Sequence, residues 1–240
     1  DARVTDPRLP VGYRVGHIPG AQPFDISRDF FTMVNRRREI APPEQIAHAL
    51  SARGITNDSV VIIYDEWTGT LATFTYWALK YLGHRDARIL HGGWAAWKKS
   101  GGAVTADAAQ VTATEYKLQL NLAVRATAEW IQSNLARADL FLLDTRSEGE
   151  FFSGHIPGAV NLAHDANIDP MTQTFRDAKT LRAQLEAIGA TPDKEIVAYC
   201  ASGARSSLMF TALELLGYPR VRNYDGSMMD WAQARGLAVE

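Results

Sequence analysis

The amino-acid sequence repeats one pattern, and this repeat limits the possible fold more than any other feature. The hexapeptide Gly-His-Ile-Pro-Gly-Ala stands at residues 16–21 and again at 154–159. Other landmarks follow in the same order in each half: Asp6-Pro7-Arg8 and Asp144-Thr145-Arg146, an apolar run ending at Tyr64 and at Tyr199, and Gly-containing segments at 92–97 and 226–231. The repeat therefore predicts two homologous domains of about 120 residues each, within the usual range of domain sizes.

The domain boundaries follow from changes in composition along the chain. We predict a first domain at residues 1–104, a linker at 105–122 where the sequence is polar and rich in Thr and Ala, and a second domain at 123–240. In each half, short apolar runs alternate with segments of helical spacing. This alternation is typical of the α/β class, and we expect two tandem domains, each a mainly parallel sheet with helices on both faces.

Composition excludes several classes of protein. The chain has 46% hydrophobic and 22% charged residues and a net charge of −2, so we expect neither a nucleic-acid-binding nor a membrane-binding surface. A single cysteine excludes an intrachain disulfide and a thiolate-rich metal site, and it suits a reducing compartment such as the cytoplasm. Because the sequence opens on Asp1 without a methionine, we expect that a preceding segment is missing. The oligomeric state does not follow from the sequence.

The one cysteine, Cys200, stands between an apolar strand and a segment of helical spacing at residues 208–216. Ligands of parallel α/β sheets bind at the carboxyl ends of strands, and a helix that begins there directs free N–H groups at them. Such surroundings lower the pKa of a thiol, and the thiolate is the reactive form. A lone cysteine is more often buried and inert. Here the neighbouring residues are small and one is cationic, so we predict that Cys200 is a nucleophile.

The residues that follow Cys200 are predicted to bind an anionic substrate. They are Ala201, Ser202, Gly203, Ala204, Arg205 and Ser206. Their N–H groups are expected to surround the anion, Gly203 to permit a positive φ, and Arg205 to pair with the anion. Ser206 either caps the helix or offers its hydroxyl to the sulfur. Arg146 is a further candidate for substrate binding, although a local ion pair with Asp144 is the simpler interpretation.

The sequence resembles the rhodanese family, in particular the two-domain thiosulfate and 3-mercaptopyruvate sulfurtransferases. The resemblance covers nearly the whole chain and rests on the two hexapeptides with their preceding aromatic residues, on His91-Gly92-Gly93-Trp94, on Tyr224-Asp225-Gly226-Ser227 and on the Cys200 loop. It implies that Cys200 takes a sulfane sulfur from a donor as a persulfide and passes it to a thiophilic acceptor such as cyanide or a thiol. It implies no metal and no organic cofactor.

Two positions depart from what the resemblance implies for an active domain. Asp65 stands where the alignment places Cys200, so the first domain is expected to be catalytically inactive. Many two-domain relatives have an arginine where this chain has Glu150, which leaves Arg205 as the expected partner of the donor anion. We therefore expect thiosulfate to be the better donor but to bind weakly, with 3-mercaptopyruvate as the alternative.

Other interpretations of the same motifs are less favoured. Cysteine-dependent phosphatases and arsenate reductases use a Cys-x5-Arg loop, whereas four residues separate Cys200 from Arg205 here, so the loop suits a smaller group than phosphate. A regulatory rhodanese-like module usually lacks the cysteine, which this chain retains. His17 and His155 occur in both halves, active and inactive, and are predicted to shape a turn rather than to act in catalysis.

Overall fold

The computed structural model describes residues 1–3, 12–34 and 37–240 of the chain. These residues form two compact units, the first comprising Asp1–Leu120 with Met171–Thr174 and the second Asn121–Pro170 with Phe175–Glu240. Each unit contains one copy of the repeated hexapeptide. Among the described residues, no helix has both the length and the apolar character that crossing a membrane requires.

The first unit contains a parallel pair of strands linked by a helix. Its elements in chain order are α1 (Ile26–Asp29), β1 (Phe31–Val34), β2 (Arg37–Ile40), α2 (Pro43–Ser51), β3 (Val60–Ile63), α3 (Thr70–Tyr81), β4 (Asp86–Ile89) and α4 (Gly93–Lys99). Strands β3 and β4 are parallel with α3 as their crossover, whereas β1 and β2 are antiparallel. Most side chains of α3 are buried, including Phe74 and Trp77, which explains its apolar composition.

The elements that follow α4 along the chain include a parallel sheet of four strands. They are α5 (Ala128–Asn134), β5 (Leu140–Asp144), α6 (Glu148–Phe152), β6 (Val160–Asn161), β7 (Ile168–Asp169), β8 (Thr174–Phe175), α7 (Ala178–Ala187), β9 (Glu195–Tyr199), α8 (Ala204–Leu215) and β10 (Val221–Asn223). Strands β10, β9, β5 and β6 form one sheet in this order, and every pair in it is parallel. Helix α6 connects β5 to β6, and α8 connects β9 to β10. This arrangement agrees with the predicted α/β class.

Strand β9 lies in the interior of this sheet and positions the cysteine. All five of its residues are buried, and it pairs with β5 on one side and β10 on the other. A strand covered on both faces requires a continuous apolar run rather than alternation, as residues 196–199 provide. The core around it contains Ala126, Ile131, Leu142, Ile156, Val197, Tyr199, Tyr224 and Trp231, among others. Because β9 ends at Tyr199, the chain places Cys200 at the carboxyl end of the sheet.

The two units repeat the same contact between the hexapeptide and a tyrosine at the carboxyl end of a parallel strand. The Tyr64 hydroxyl accepts a hydrogen bond from the Ile18 N–H, and the Tyr199 hydroxyl accepts one from the Ile156 N–H, each at 3.1 Å. Tyr64 and Tyr199 are thus equivalent residues, as the sequence alignment predicts. The residue after each of them, Asp65 and Cys200, is therefore equivalent as well.

One predicted correspondence is wrong. The Arg146 guanidinium donates to both carboxylate oxygens of Asp144 and to the Gly154 carbonyl. The first unit makes the same contacts with Arg3, Asp1 and Gly16. The counterpart of residues 144–146 is therefore residues 1–3. The predicted counterpart, residues 6–8, lies outside the described residues. The match is shifted because the segment before His17 is longer than that before His155 and the alignment has no gap.

The predicted linker follows the first unit over most of its length. His17 and Thr105 exchange two backbone hydrogen bonds, of 2.8 and 3.0 Å. Further along, the Thr114 N–H donates to the Ser51 carbonyl at 2.9 Å, and the Lys117 N–H donates to the Asn57 side chain at 2.8 Å. Residues up to Leu120 accordingly belong to the first unit.

Candidate active site

Cys200 is held by its own backbone at the end of β9. Its N–H donates to the Ser227 Oγ at 3.0 Å, and its carbonyl accepts from the Met228 N–H at 3.1 Å. The residue is only 1% exposed. The position of the thiol is thus fixed on both sides by the turn that follows β10.

The Cys200 Sγ faces the start of helix α8. The Gly203 N–H points at the sulfur, with an N-to-Sγ distance of 3.2 Å, and Gly203 is the N-cap of α8. The first N–H groups of an α-helix have no acceptor within the helix, and this end of the helix dipole is positive. The loop therefore offers hydrogen-bond donors where a negatively charged sulfur would lie. Of the other loop residues, Ala201, Ser202, Ala204 and Arg205 are half-buried, and Ser206 is buried.

Gly203 has the positive φ that the sequence analysis expects, and it also allows a close approach. Its φ is +84°, and a Cβ at this position would lie 2.6 Å from both the Cα and the carbonyl oxygen of Asp225. Asp225 is itself fixed, because its carboxylate accepts two hydrogen bonds from Arg125, at 2.7 and 3.0 Å. The backbone of Asp225 thus determines how closely the loop can fold over the sulfur.

Two serine hydroxyls lie near the sulfur, and both have other partners. The Ser206 Oγ is 3.7 Å from Sγ but only 2.6 Å from Oδ1 of Asn223, which is the better acceptor for its single proton. The Ser227 Oγ is 4.0 Å from Sγ and donates to the Tyr224 carbonyl at 2.7 Å. Of the predicted roles of Ser206, the structure shows the hydroxyl near the sulfur but held by Asn223.

Ser227 is a site residue that the sequence analysis missed. It has a φ of +52°, which is uncommon for a residue other than glycine, and its equivalent in the first unit is Gly93, with a φ of +56°. A strained backbone at a functional site persists where the surrounding contacts compensate for it, and here the Ser227 hydroxyl accepts the Cys200 N–H. A serine in a position that favours glycine was the available signal.

Arg205 is paired with Glu150. Its Nη1 and Nη2 donate to the two carboxylate oxygens of Glu150, both at 2.7 Å. The hydrogen bonds from Arg205 lower the pKa of Glu150 to about 2. In turn, Glu150 chiefly and Cys200 to a lesser degree raise the pKa of Arg205. The cation that the sequence analysis assigns to the donor is therefore neutralised by a carboxylate.

Arg146 is directed into a structural contact. It is 7% exposed, and its Nε and Nη2 are occupied by the Asp144 carboxylate and the Gly154 carbonyl. The equivalent contact of Arg3 in the first unit indicates a brace for the loop that follows the strand. Its predicted role in substrate binding stays a prediction, and these contacts favour the alternative ion pair with Asp144.

His17 and His155 have matching structural environments. The His17 ring stacks on Tyr13 with a centroid distance of 3.7 Å, and the His155 ring stacks on Phe151 at 3.8 Å. In each case Nδ1 is hydrogen-bonded to the backbone carbonyl of the residue on which the ring stacks. These contacts shape the turn, which is the role that the repeat predicts.

The first unit places a carboxylate where the second has its thiol. The Gly69 N–H, at the N-cap of α3, donates to Oδ1 of Asp65 at 3.1 Å, as the Gly203 N–H does to Cys200. Burial raises the pKa of the Asp65 carboxyl above its ordinary value. This loop therefore keeps the donor but has no atom that can carry sulfur.

Comparison with known proteins places these features in one family. The chain matches the rhodanese-like domain twice, over residues 1–100 and 127–234. It is 34% identical to the sulfur carrier protein TtuD of Thermus thermophilus over 95% of this chain and 86% of that protein. It is 30% identical to a thiosulfate sulfurtransferase of Pseudomonas aeruginosa over 95% of this chain and 87% of the relative. A probable 3-mercaptopyruvate sulfurtransferase of the same organism is 33% identical over 91% of this chain and 82% of the relative.

Solved structures share the fold. The wild-type structure of EanB has a TM-score of 0.85 and 24% sequence identity, covering 95% of this chain and 60% of its own. The fold of this chain is thus shared with a solved structure, and its sequence with curated relatives. The chain belongs to the rhodanese family and contains its domain twice.

Proposed function

We propose that this chain is a sulfurtransferase that carries a sulfane sulfur as a persulfide on Cys200. The observation that carries the proposal is the Gly203 N–H, at the start of α8, directed at Sγ from 3.2 Å. Membership of the rhodanese family supports it, as do relatives whose names denote sulfur transfer from thiosulfate and from 3-mercaptopyruvate. The substrates are therefore a sulfur donor and a thiophilic acceptor.

In the loading step, the Cys200 thiolate attacks the outer sulfur of thiosulfate. A sulfur–sulfur bond forms to Cys200, the sulfur–sulfur bond of thiosulfate breaks, and sulfite leaves with the electron pair of that bond. The product is a cysteine persulfide anion, so the total charge is unchanged. We expect the Gly203 N–H, which points at Sγ, and the first N–H groups of α8, from Ala204 to Ser206, to stabilise the negative sulfur.

In the unloading step, a thiophilic nucleophile such as cyanide attacks the outer sulfur of the persulfide. A carbon–sulfur bond forms, the persulfide bond breaks, and its electron pair returns to Cys200 as thiolate. Thiocyanate leaves and the enzyme is restored. A thiol acceptor follows the same course and leaves as its own persulfide. A single cysteine that must return to the thiolate suits a reducing compartment, and we place the protein in the cytoplasm on that ground.

We assign the donor as thiosulfate, with 3-mercaptopyruvate as the alternative. Arg205 is the cation adjacent to Cys200 in the loop, and a guanidinium binds a sulfonate group through two charge-assisted hydrogen bonds. Because the Glu150 carboxylate occupies this guanidinium, affinity for thiosulfate should be weak. Side-by-side values of kcat/KM decide between the donors, and a higher value for 3-mercaptopyruvate would reverse the assignment.

Removing the nucleophile tests the proposal. Cys200→Ser keeps the size of the side chain and its backbone contacts, so the fold should persist by circular dichroism while thiocyanate formation from thiosulfate and cyanide is lost. Ser207→Ala, on helix α8, is the matched control. The Ser207 hydroxyl donates to the Ala204 carbonyl and not to Cys200, so this variant should remain active. Activity of Cys200→Ser above a few per cent of wild type would refute the covalent mechanism.

A further inference from the structure

The carboxylate of Glu150 is held beside the cysteine loop by hydrogen bonds. Glu150 lies on α6, where it completes a capping box with Ser147, whose N–H and hydroxyl both donate to Oε2 at 3.1 and 2.9 Å. The same carboxylate accepts hydrogen bonds from both terminal nitrogens of Arg205. The Glu150 carboxylate therefore has hydrogen-bond partners on both α6 and the cysteine loop.

An anionic donor would bind the same group that Glu150 binds, the Arg205 guanidinium. The Arg205 guanidinium lies in the first turn of α8, near Cys200, and it presents Nη1 and Nη2 to the two oxygens of one carboxylate. A sulfonate or carboxylate of a donor would bind these nitrogens with the same bidentate geometry. A donor anion must therefore either displace Glu150 or bind next to a fixed negative charge.

Resting on the proposed sulfur transfer, we propose that Glu150 determines donor specificity by competing with the anionic end of the sulfur donor for Arg205. The Glu150 carboxylate binds the guanidinium that would otherwise bind the donor. It weakens the binding of anionic donors and leaves the approach of uncharged reagents to Cys200 nearly unaffected. The low pKa of Glu150 keeps this competition in force throughout the neutral range.

The alkylation of Cys200 tests this competition without requiring sulfur transfer. Because Cys200 is the single thiol, iodoacetate and iodoacetamide both report on it alone, and they differ in charge. We expect Glu150→Gln to raise the ratio of the iodoacetate rate to the iodoacetamide rate by about fivefold or more over wild type. Glutamine can still complete the capping box, so α6 should keep its structure.

Glu148→Gln is the matched control. It removes the same charge from an exposed position on the same helix and should leave the ratio near that of wild type. In the sulfur-transfer assay, Glu150→Gln should lower the KM for thiosulfate by about tenfold with little change in kcat. An alkylation ratio that is equal in Glu150→Gln and wild type would overturn the proposal, whatever the activity. Absence of thiocyanate formation in the wild type would instead refute the proposed function.

Discussion

At the scale of single residues, the site depends on how closely the loop folds over one sulfur atom. Gly203 directs its N–H at the Cys200 Sγ and packs its α-carbon against the Asp225 backbone. Ser227 fixes the cysteine from the other side through the Cys200 N–H. The surroundings of the sulfur therefore depend on the position of the loop backbone, and a side chain at residue 203 would force that backbone to move.

We predict that Gly203→Ala impairs both stability and activity. The added Cβ would lie 2.6 Å from Asp225, and φ is +84°, so the loop must move. The free energy of unfolding should fall by about 2–4 kcal/mol in chemical denaturation. The kcat/KM for thiosulfate should fall by at least about tenfold, because small displacements of a reacting group are costly.

Gly217→Ala separates backbone strain from the close approach. Gly217 has a φ of +79°, but a Cβ there meets nothing within 4 Å. This variant should lose only about 1 kcal/mol of stability and none of its kcat/KM. Equal losses of activity in the two variants would show that the contact with Asp225 does not matter.

At the scale of elements, the ion pair of Glu150 and Arg205 connects helix α6 to the start of α8. Both side chains are partly exposed, at 38% and 28% respectively, so solvent screens the pair. Its contribution to stability should therefore be small, and its larger consequence is the electrostatics of the site.

This pair should make a pH-dependent contribution to stability. The pKa of Glu150 is lowered from 4.5 to about 2, so the stabilisation is fully present above 4.5 and is lost as the pH falls through about 2. At neutral pH, wild type should exceed Glu150→Gln in free energy of unfolding by less than about 1 kcal/mol. The difference should shrink as the pH falls, as followed by denaturant titrations. A difference that grows towards acid pH would contradict this pairing.

At the scale of the whole molecule, the duplicated domain places the same loop geometry around a different residue in each unit. Tyr64 directly follows β3 and Tyr199 ends β9, and the residue after each tyrosine accepts a hydrogen bond from the N–H of an N-cap glycine. In the first unit the acceptor is the Asp65 carboxylate, which cannot form a persulfide. The N–H donor is thus common to both units, whereas the thiol is present in the second unit and a carboxylate stands in its place in the first.

Much of this architecture could be predicted from the sequence because it depends on local patterns. The repeat, the family, the α/β class and sulfur transfer are confirmed by the comparisons with known proteins. Helix α8 begins at Ala204, four residues before the start of the predicted apolar periodicity. The periodicity does not detect the first turn because that turn has little apolar content. The domain boundaries and the substrate-binding residues of the loop stay predictions.

The contacts that a single sequence could not supply connect distant residues. Glu150 and Arg205 are 55 residues apart, and their pairing depends on where α6 and α8 lie around the sheet. Ser227 and Cys200 meet only because the turn after β10 passes over the end of β9. Neither pairing follows from composition or periodicity, since neither involves neighbours along the chain.

Mass spectrometry of the protein after incubation with thiosulfate tests the central claim most directly. We predict that the intact protein gains one sulfur atom, that the gain maps to the peptide containing Cys200, and that cyanide removes it. Cys200→Ser should gain nothing under the same conditions. A wild-type protein that gains no sulfur in excess donor, or a gain that persists in Cys200→Ser, would contradict the assignment of Cys200 as the sulfur carrier.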